Sequence, residues 1–255
     1  TGDDNTAVGF KALEANTTGT ENIGIGRDAL SANTTGTANV AVGAYAMDAH
    51  TTGAYNVAVG NNALGANTTG AGSVAVGTFT LATNTTNGTH VAVGYGALEN
   101  NTTGTCNTAV GYQGLRANTT GADNVSMGVN ALTANTTGSY NTAIGRDCLE
   151  ANTTASYNTA VGYKSLSLNT TGSNNTAMGY ESLKVCTTGH DNVAIGYYAM
   201  QDATTADYCT AVGEECMSNV TTGTRNTAVG NGALYTNVTG NYNVAVGNGA
   251  LQTYT

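Results

Sequence analysis

Proline and tryptophan are absent from this 255-residue chain, phenylalanine occurs twice, and only 9% of the residues are charged. With seven Lys and Arg against sixteen Asp and Glu, the chain has no basic patch, which argues against a nucleic-acid partner. No apolar run approaches the roughly 18 residues that a membrane helix needs, so we expect no membrane insertion by this segment. Abundant Gly and β-branched residues, without a lasting 3.6-residue apolar period, disfavour helices.

A 17-residue repeat occupies the whole chain. An invariant glycine marks each copy, from Gly9 and Gly26 through to Gly247, and every step is 17 residues without insertion or deletion. With Thr1 as position 1, the unit reads Thr-Gly-x-x-Asn-(Thr or Val)-Ala-Val-Gly-x-x-Ala-Leu-x-Ala-Asn-Thr. The fifteen copies predict a single repeat array over residues 1–255, which we expect to be a slice of a longer fibre.

Charge is confined to six positions of the repeat. All 23 charged residues fall at positions 3, 4, 10, 11, 14 and 15. Because unpaired charged side chains are rarely buried, the other eleven positions are predicted to be packed or turn-forming. Positions 5 to 8 are small or β-branched and precede a glycine, which predicts a short β-strand. Positions 12 and 13 predict a second short strand or a bend that sends the leucine inward.

Both faces of the predicted strand exclude charge, which indicates that both are covered. We expect the aliphatic residues at positions 6 and 8 to fill the coil. The other face, with positions 5 and 7, then needs either the opposite wall of the coil or a neighbouring chain, and because a 17-residue coil is narrow we favour a neighbouring chain. This arrangement predicts a homo-oligomer, most simply a trimer. Stacked copies would form parallel in-register ladders at ~4.8 Å per rung, giving a rod of roughly 70 Å. Asn side chains at positions 5 and 16 would then form stacked amide ladders.

Tyrosines lie almost entirely at the positions predicted to be exposed. Thirteen of the fourteen occupy positions 4, 10, 11 and 14, and several recur at one position in successive repeats. Such residues predict external aromatic stacks, which either cover the backbone or form a lateral contact or glycan-binding strip. The candidate surface contact ladders are Tyr163, Tyr180 and Tyr197; Tyr95 and Tyr112; and Tyr140 and Tyr157.

The sequence predicts no catalytic, cofactor-binding or metal-binding residues. His50, His90 and His190 occupy three different repeat positions and so form no common constellation. No position repeats an Asp, as a calcium-binding solenoid would. No two of the five cysteines are 17 residues apart, which predicts scattered substitutions and no disulfide between adjacent rungs. We therefore expect a protein that is not an enzyme and needs no cofactor.

The repeat resembles those of known surface fibres. The run from Gly36 to Met47, repeated from Gly53 to Leu64, resembles the head repeats of trimeric autotransporter adhesins. The segments 107–115 and 158–166 are similar to repeats of phage tail-fibre proteins. The resemblance implies a trimer of left-handed parallel β-rolls on a cell or virion surface, acting in attachment. The unit departs from the adhesin pattern by its Asn-Thr-Thr insert, which makes it longer.

The expected fold is thus an all-β parallel β-solenoid (β-roll) of fifteen 17-residue rungs, assembled as a homotrimeric fibre with left-handed coils. Its expected function is a structural or adhesive surface fibre segment, of the phage tail-fibre or bacterial-adhesin type. We expect it outside the cell or on a virion, with a cell-surface glycan or receptor as candidate partner. A self-assembling extracellular filament is an alternative.

Two further readings come from the Asn-Thr-Thr run. Rows of Thr at positions 17 and 1 raise the alternative of an ice-binding β-solenoid, although neighbouring strand residues point in opposite directions. Asn16-Thr17-Thr18 and its copies also match the N-glycosylation sequon, and turn chemistry explains them equally well.

Overall fold

The computed structural model describes residues 2–86 and 88–253. These residues form fifteen three-residue β-strands, one in each repeat, and no helix. In this part of the chain there is accordingly no helix able to cross a membrane. The chain divides into two compact units, the first ending at Asn124 and the second beginning at Val125. Each unit is a parallel β-solenoid of stacked rungs, which confirms the predicted fold class.

The first unit contains seven strands, each paired in parallel with the next. Every residue of a strand lies opposite the residue 17 positions later, as Val57 does opposite Val74. The strands are β1 (Thr6–Val8), β2 (Ile23–Ile25), β3 (Val40–Val42), β4 (Val57–Val59), β5 (Val74–Val76), β6 (Val91–Val93) and β7 (Thr108–Val110).

The second unit repeats this arrangement with eight strands in the same parallel register. They are β8 (Val125–Met127), β9 (Thr142–Ile144), β10 (Thr159–Val161), β11 (Thr176–Met178), β12 (Val193–Ile195), β13 (Thr210–Val212), β14 (Thr227–Val229) and β15 (Val244–Val246). The 17-residue period of the sequence is therefore the pairing register of both units.

Backbone hydrogen bonds between rungs continue around the turns. The amide of Leu13 donates to the carbonyl oxygen of Ala29 at 3.1 Å, and that of Thr17 donates to Thr34 at 3.0 Å. On another side of the coil, the amide of Asp28 donates to Phe10 at 2.8 Å. Turn residues thus satisfy their backbone groups through the adjacent rung, as strand residues do.

The prediction of which strand face fills the coil is wrong. Ala58, at position 7 of its rung, is fully buried, whereas Val57 and Val59 on either side are only half-buried. The reason is the width of the coil, because the leucine at position 13 packs against position 7 from the opposite wall. At Gly24, the glycine of the position-7 row, a side-chain methyl would lie 3.3 Å from Cγ of Leu13. Only a small side chain fits there, so the larger aliphatic residues point outward.

Of the two alternatives for positions 12 and 13, the structure shows a bend and no second strand. The inward leucine is confirmed, since Leu30, Leu64 and Met47 are fully buried in that row. The bend places this residue in the left-handed region, with φ of 54° at Leu64. Positions 4 and 11 of every described copy have positive φ as well, for example 62° at Tyr55 and 58° at Lys11.

The invariant glycine that follows each strand has a specific steric role. Gly9 has φ of 129°, which side chains with a Cβ rarely adopt, and its equivalents are similar. A Cβ at Gly9 would also lie 2.6 Å from the carbonyl oxygen of Gly26 in the next rung. Backbone angle and close rung-to-rung approach therefore both require glycine, which accounts for its presence in all fifteen copies.

Candidate interaction surfaces

In each unit, the side chains at positions 6 and 8 of the strands form one surface, the outward face. It holds only Thr, Val, Ile and Met, without one charged residue. Its larger side chains remain substantially exposed, with 37% of Ile195, 40% of Met178 and 44% of Met127 accessible to solvent. Each unit therefore presents a continuous, mostly aliphatic row on one side of its sheet, with charge restricted to the turns.

The interior of each coil contains a ladder of buried asparagines at position 5. Asn22 is fully buried. Its Nδ2 donates to Oδ1 of Asn5 at 3.1 Å and to the carbonyl oxygen of Gly36 at 2.8 Å. Its backbone amide also donates to Oδ1 of Asn5, at 3.0 Å. The predicted amide ladder is thus present, with donation running toward the preceding rung.

A second ladder at position 16 is interrupted, and its direction changes along the row. At Asn33 and Asn118 donation runs toward the preceding rung, but Nδ2 of Asn67 donates to Oδ1 of Asn84 in the following rung at 3.2 Å. Asn33 donates through Nδ2 to Oδ1 of Asn16 at 2.9 Å and to the carbonyl of Gly36 at 3.1 Å. His50 takes the asparagine's place in the next rung, and Oδ1 of Asn33 is left without a hydrogen-bond partner. In the second unit Oδ1 of Asn169 is unpartnered in the same way, because the next residue of the row is Cys186.

The sequons coincide with this second ladder. Several asparagines that begin Asn-Thr-Thr runs are fully buried, namely Asn33, Asn67, Asn101 and Asn152. Asn152, for instance, uses its amide nitrogen on Oδ1 of Asn135 and on the carbonyl of Ala155. A glycan on that nitrogen would displace the ladder, so the sequons at these four buried residues are closed in the folded chain, whereas Asn16 is only half-buried.

The three histidines lie in three different environments. His50 is buried, with Nε2 2.9 Å from the carbonyl oxygen of Gly53 and Nδ1 3.0 Å from Oδ1 of Asn67. His90 is buried in the position-5 ladder, whereas His190 is half-buried beside Asp191 and Asp207. Across residues 2–86 and 88–253, no three His, Cys, Asp or Glu side chains are grouped as a metal site requires.

The candidate tyrosine ladders stack face to face. Tyr140 and Tyr157 have ring centroids 5.0 Å apart and planes inclined by 7°, and Tyr95 and Tyr112 are 5.6 Å apart. Tyr163, Tyr180 and Tyr197 form a continuous three-rung stack, with centroid separations of 5.2 and 5.3 Å. Because each ring face is covered by the next ring, what the stacks offer to solvent is mainly ring edges and hydroxyl groups.

Two aromatic contacts were not among the predicted ladders. Tyr198 packs against Tyr197, with centroids 4.1 Å apart, and a hydrogen bond to Tyr197 raises its pKa to about 12. Arg225 lies between the rings of Tyr208 and Tyr242, at 5.1 and 5.6 Å from their centroids. Tyr208, Arg225 and Tyr242 share position 4 of successive rungs, so a search of that row for alternating aromatic and cationic residues would have found the second contact.

The two threonine rows, at positions 17 and 1, have different environments. At position 17, hydroxyl groups donate to the carbonyl oxygen of the next rung, as from Thr34 to Thr51 at 3.1 Å and from Thr170 to Thr187 at 2.9 Å. At position 1 the threonines, such as Thr52, are exposed. A flat array of two free hydroxyl rows, on which the ice-binding alternative depends, is therefore not formed by these positions.

All five cysteines are free. Cys106 is exposed, whereas the four others are buried. Burial raises the pKa of Cys186 to about 12 and that of Cys148 and Cys216 to about 11, so these thiols stay protonated near neutral pH.

The chain matches no protein-family model, no curated protein and no solved structure.

Proposed function

We propose that the chain is a segment of a structural or adhesive surface fibre, in which copies associate through their outward faces. The observation that carries this proposal is the uncharged, half-exposed aliphatic row along each unit. All 23 charged residues lie on the turns, and none interrupts this row in fifteen repeats. Extended apolar patches of this kind mark interaction sites on soluble proteins.

The size of the outward face is suited to association. Side chains such as Met178 and Ile195, about 40% exposed, each leave on the order of 35 Å² of apolar surface uncovered. Two per rung over seven or eight rungs give on the order of 500 Å² per unit. Together with flanking turn residues, this approaches the ~800 Å² per partner of a stable complex.

A second copy of the same chain is the partner that the row fits best. The side chains of the outward face recur once per rung, at ~4.8 Å, in each unit. Only a surface with the same spacing can pack its side chains between them along the full length of a unit. The resemblance to adhesin-head repeats favours three copies, left-handed coils and a location on a cell or virion surface.

The adhesive part of the proposal concerns the tyrosine stacks on the turns. Tyr180 and Tyr197 are 40% and 45% exposed, and they follow the outward-face residues Met178 and Ile195 by two positions. Ring edges with hydroxyl groups suit polar contacts to a glycan or protein receptor. Since the ring faces are already stacked, such contacts would use hydroxyl hydrogen bonds more than stacking on the ligand.

The test of self-association uses three lysines on the outward face. In Val42→Lys/Val59→Lys/Val76→Lys, each ammonium would be buried without a partner between copies, which costs several kcal/mol. We expect light scattering and native mass measurement to show an oligomer for the unaltered chain and a monomer for the variant. Circular dichroism should be the same for both, since these side chains point away from the core.

The matched control adds the same charge to the same three rungs on the turns, as Thr37→Lys/Ala54→Lys/Ala71→Lys. This variant should keep the oligomer, because position 3 lies away from the outward face and is among those that carry charge. A monomeric unaltered chain at micromolar concentration, or equal loss in both variants, would refute the proposed association.

A further inference from the structure

One imidazole, that of His90, replaces an amide in the buried ladder at position 5 of the first unit. The ring is fully buried. Its Nδ1 accepts a hydrogen bond from the backbone amide of Asn107 at 3.3 Å, the role that Asn Oδ1 has in other rungs. Its Nε2 lies 3.4 Å from Nδ2 of both Asn84 and Asn101. Since Nδ1 accepts, the hydrogen of the neutral ring is on Nε2, and a second proton could bind only at Nδ1, toward which the N–H of Asn107 points.

These surroundings oppose a positive charge on the ring. Protonated Nδ1 would become a donor directed at the N–H of Asn107. Burial lowers the pKa of His90 below its ordinary value of 6.5, and contacts with the backbone of Asn107 and Gly104 raise it only in part. Ser73, whose Oγ accepts from the His90 amide, is uncharged, as are the two ladder amides, so no carboxylate compensates a charged imidazole.

We propose that His90 makes the first unit acid-labile, so that mild acidification opens the rungs around β6 and β7. When the pH is above about 6.5, the ring is neutral in the folded and the unfolded chain and has no effect on stability. As the pH falls below that value, the unfolded chain binds a proton that the folded chain excludes, and stability is lost. The twelve asparagines of the same row do not titrate.

Acid lability is a property of the single chain, and it would hold whether or not copies associate through their outward faces. The second unit provides an internal comparison, because its histidine, His190, is only half-buried, lies beside two carboxylates and is outside the ladder. Loss of structure on acidification is therefore expected in the first unit at a higher pH than in the second.

Hydrogen exchange of the full chain between pH 7.5 and pH 5 tests this inference. The protection factor of the Asn107 amide, which donates to His90, should fall by up to about tenfold per pH unit below 6.5. In His90→Asn, protection of the same amide should be independent of pH over this range. Asn is the residue of twelve other copies, so the variant retains the ladder. His190→Asn is the matched control and should behave like the unaltered chain.

Two results would overturn the inference. One is equal acid sensitivity of the Asn107 amide in His90→Asn and in the unaltered chain, which would assign the effect to other groups. The other is a titration midpoint of the His90 ring, followed by NMR, at or above 6.5. That second measurement needs no substitution and decides the question even if a variant were to fold poorly.

Discussion

Single side chains in the two amide ladders show how this fold tolerates substitution. Cys186, Ala203 and Val220 replace asparagine in three successive rungs of the position-16 row, and all three are buried. Because donors and acceptors are lost together, only Oδ1 of Asn169, at the edge of the gap, is left unpartnered. An interruption of the position-16 ladder thus costs about one unsatisfied acceptor, of the order of 1–3 kcal/mol, whatever its length.

His50 is the single-rung version of this interruption, and its replacement is predicted to stabilise the chain. In His50→Asn, the introduced amide can donate to Oδ1 of Asn33, which has no partner at present. Its own oxygen can accept from Asn67 once the amide of Asn67 turns over, because Nδ2 of Asn67 now donates to Oδ1 of Asn84. We expect a gain of about 1 kcal/mol in the free energy of unfolding, measured by urea denaturation at pH 7.5.

The control for this prediction is Cys186→Asn in the second unit. There the new amide would satisfy Asn169 but leave its own oxygen facing Ala203, so the number of unpartnered acceptors stays at one. Its stability should change less than that of His50→Asn. Equal or greater stabilisation by Cys186→Asn would contradict the ladder account.

Backbone conformation at the residue scale was less predictable than the ladders. Repeated Asn at two positions directly indicates stacked amides, but Leu64, Lys11 and Tyr55 give no sign that their φ is positive. Left-handed backbone at such residues costs about 1 kcal/mol each. The hydrogen bonds that each turn makes to the adjacent rungs outweigh this cost, and they depend on the stacked fold rather than on local sequence.

At the scale of one strand, the sequence defines which residues share a face but not which face points inward. Positions 6 and 8 are larger and more apolar, which led to the wrong prediction that they fill the coil. Both faces exclude charge equally, so charge could not decide between them. The deciding factor is the volume of the leucine at position 13, which leaves room only for alanine opposite. The aliphatic content of a strand is therefore a poor guide to its inner face when the coil is narrow.

Matched leucine substitutions on adjacent residues of β4 test this assignment. Ala58→Leu adds three carbon atoms to the fully buried face, and we expect a loss of about 3 kcal/mol or more, at the upper end of overpacking. Val57→Leu places the same side chain on the outward face and should cost under about 1 kcal/mol. Urea unfolding followed by circular dichroism measures both. Similar losses of stability in the two variants, or a larger loss in Val57→Leu, would instead support the sequence-based prediction that positions 6 and 8 fill the coil.

At the scale of the whole molecule, the thiols are distributed unevenly between the two compact units. Cys106, in the first unit, is exposed, whereas the four buried cysteines all belong to the second unit, which begins at Val125. At pH 8, a thiol with a pKa of about 12, such as Cys186, is thiolate in on the order of one molecule in ten thousand. Thiol chemistry therefore distinguishes the two units without any substitution.

A thiol reagent at pH 8 should accordingly modify one cysteine rapidly in the native chain. The four others should become reactive together as urea is increased, because they lie in a single compact unit, which we expect to open cooperatively. Mass spectrometry after short pulses of reagent measures the number and position of the modified residues. Rapid labelling of two or more cysteines in the native chain, or stepwise exposure of the four, would contradict this expectation.

Each strand residue pairs with the residue 17 positions later, and this register determines which changes in the length of the gene the fold tolerates. If recombination between two copies of the gene segment removes or duplicates 17 codons inside a unit, every rejoined residue occupies a position equivalent to the one it replaces. Ladders, left-handed corners and outward side chains all survive such an event, whereas a deletion of 16 or 18 codons misaligns them. Lineages carrying this repeat should thus differ in length by whole multiples of 17 residues.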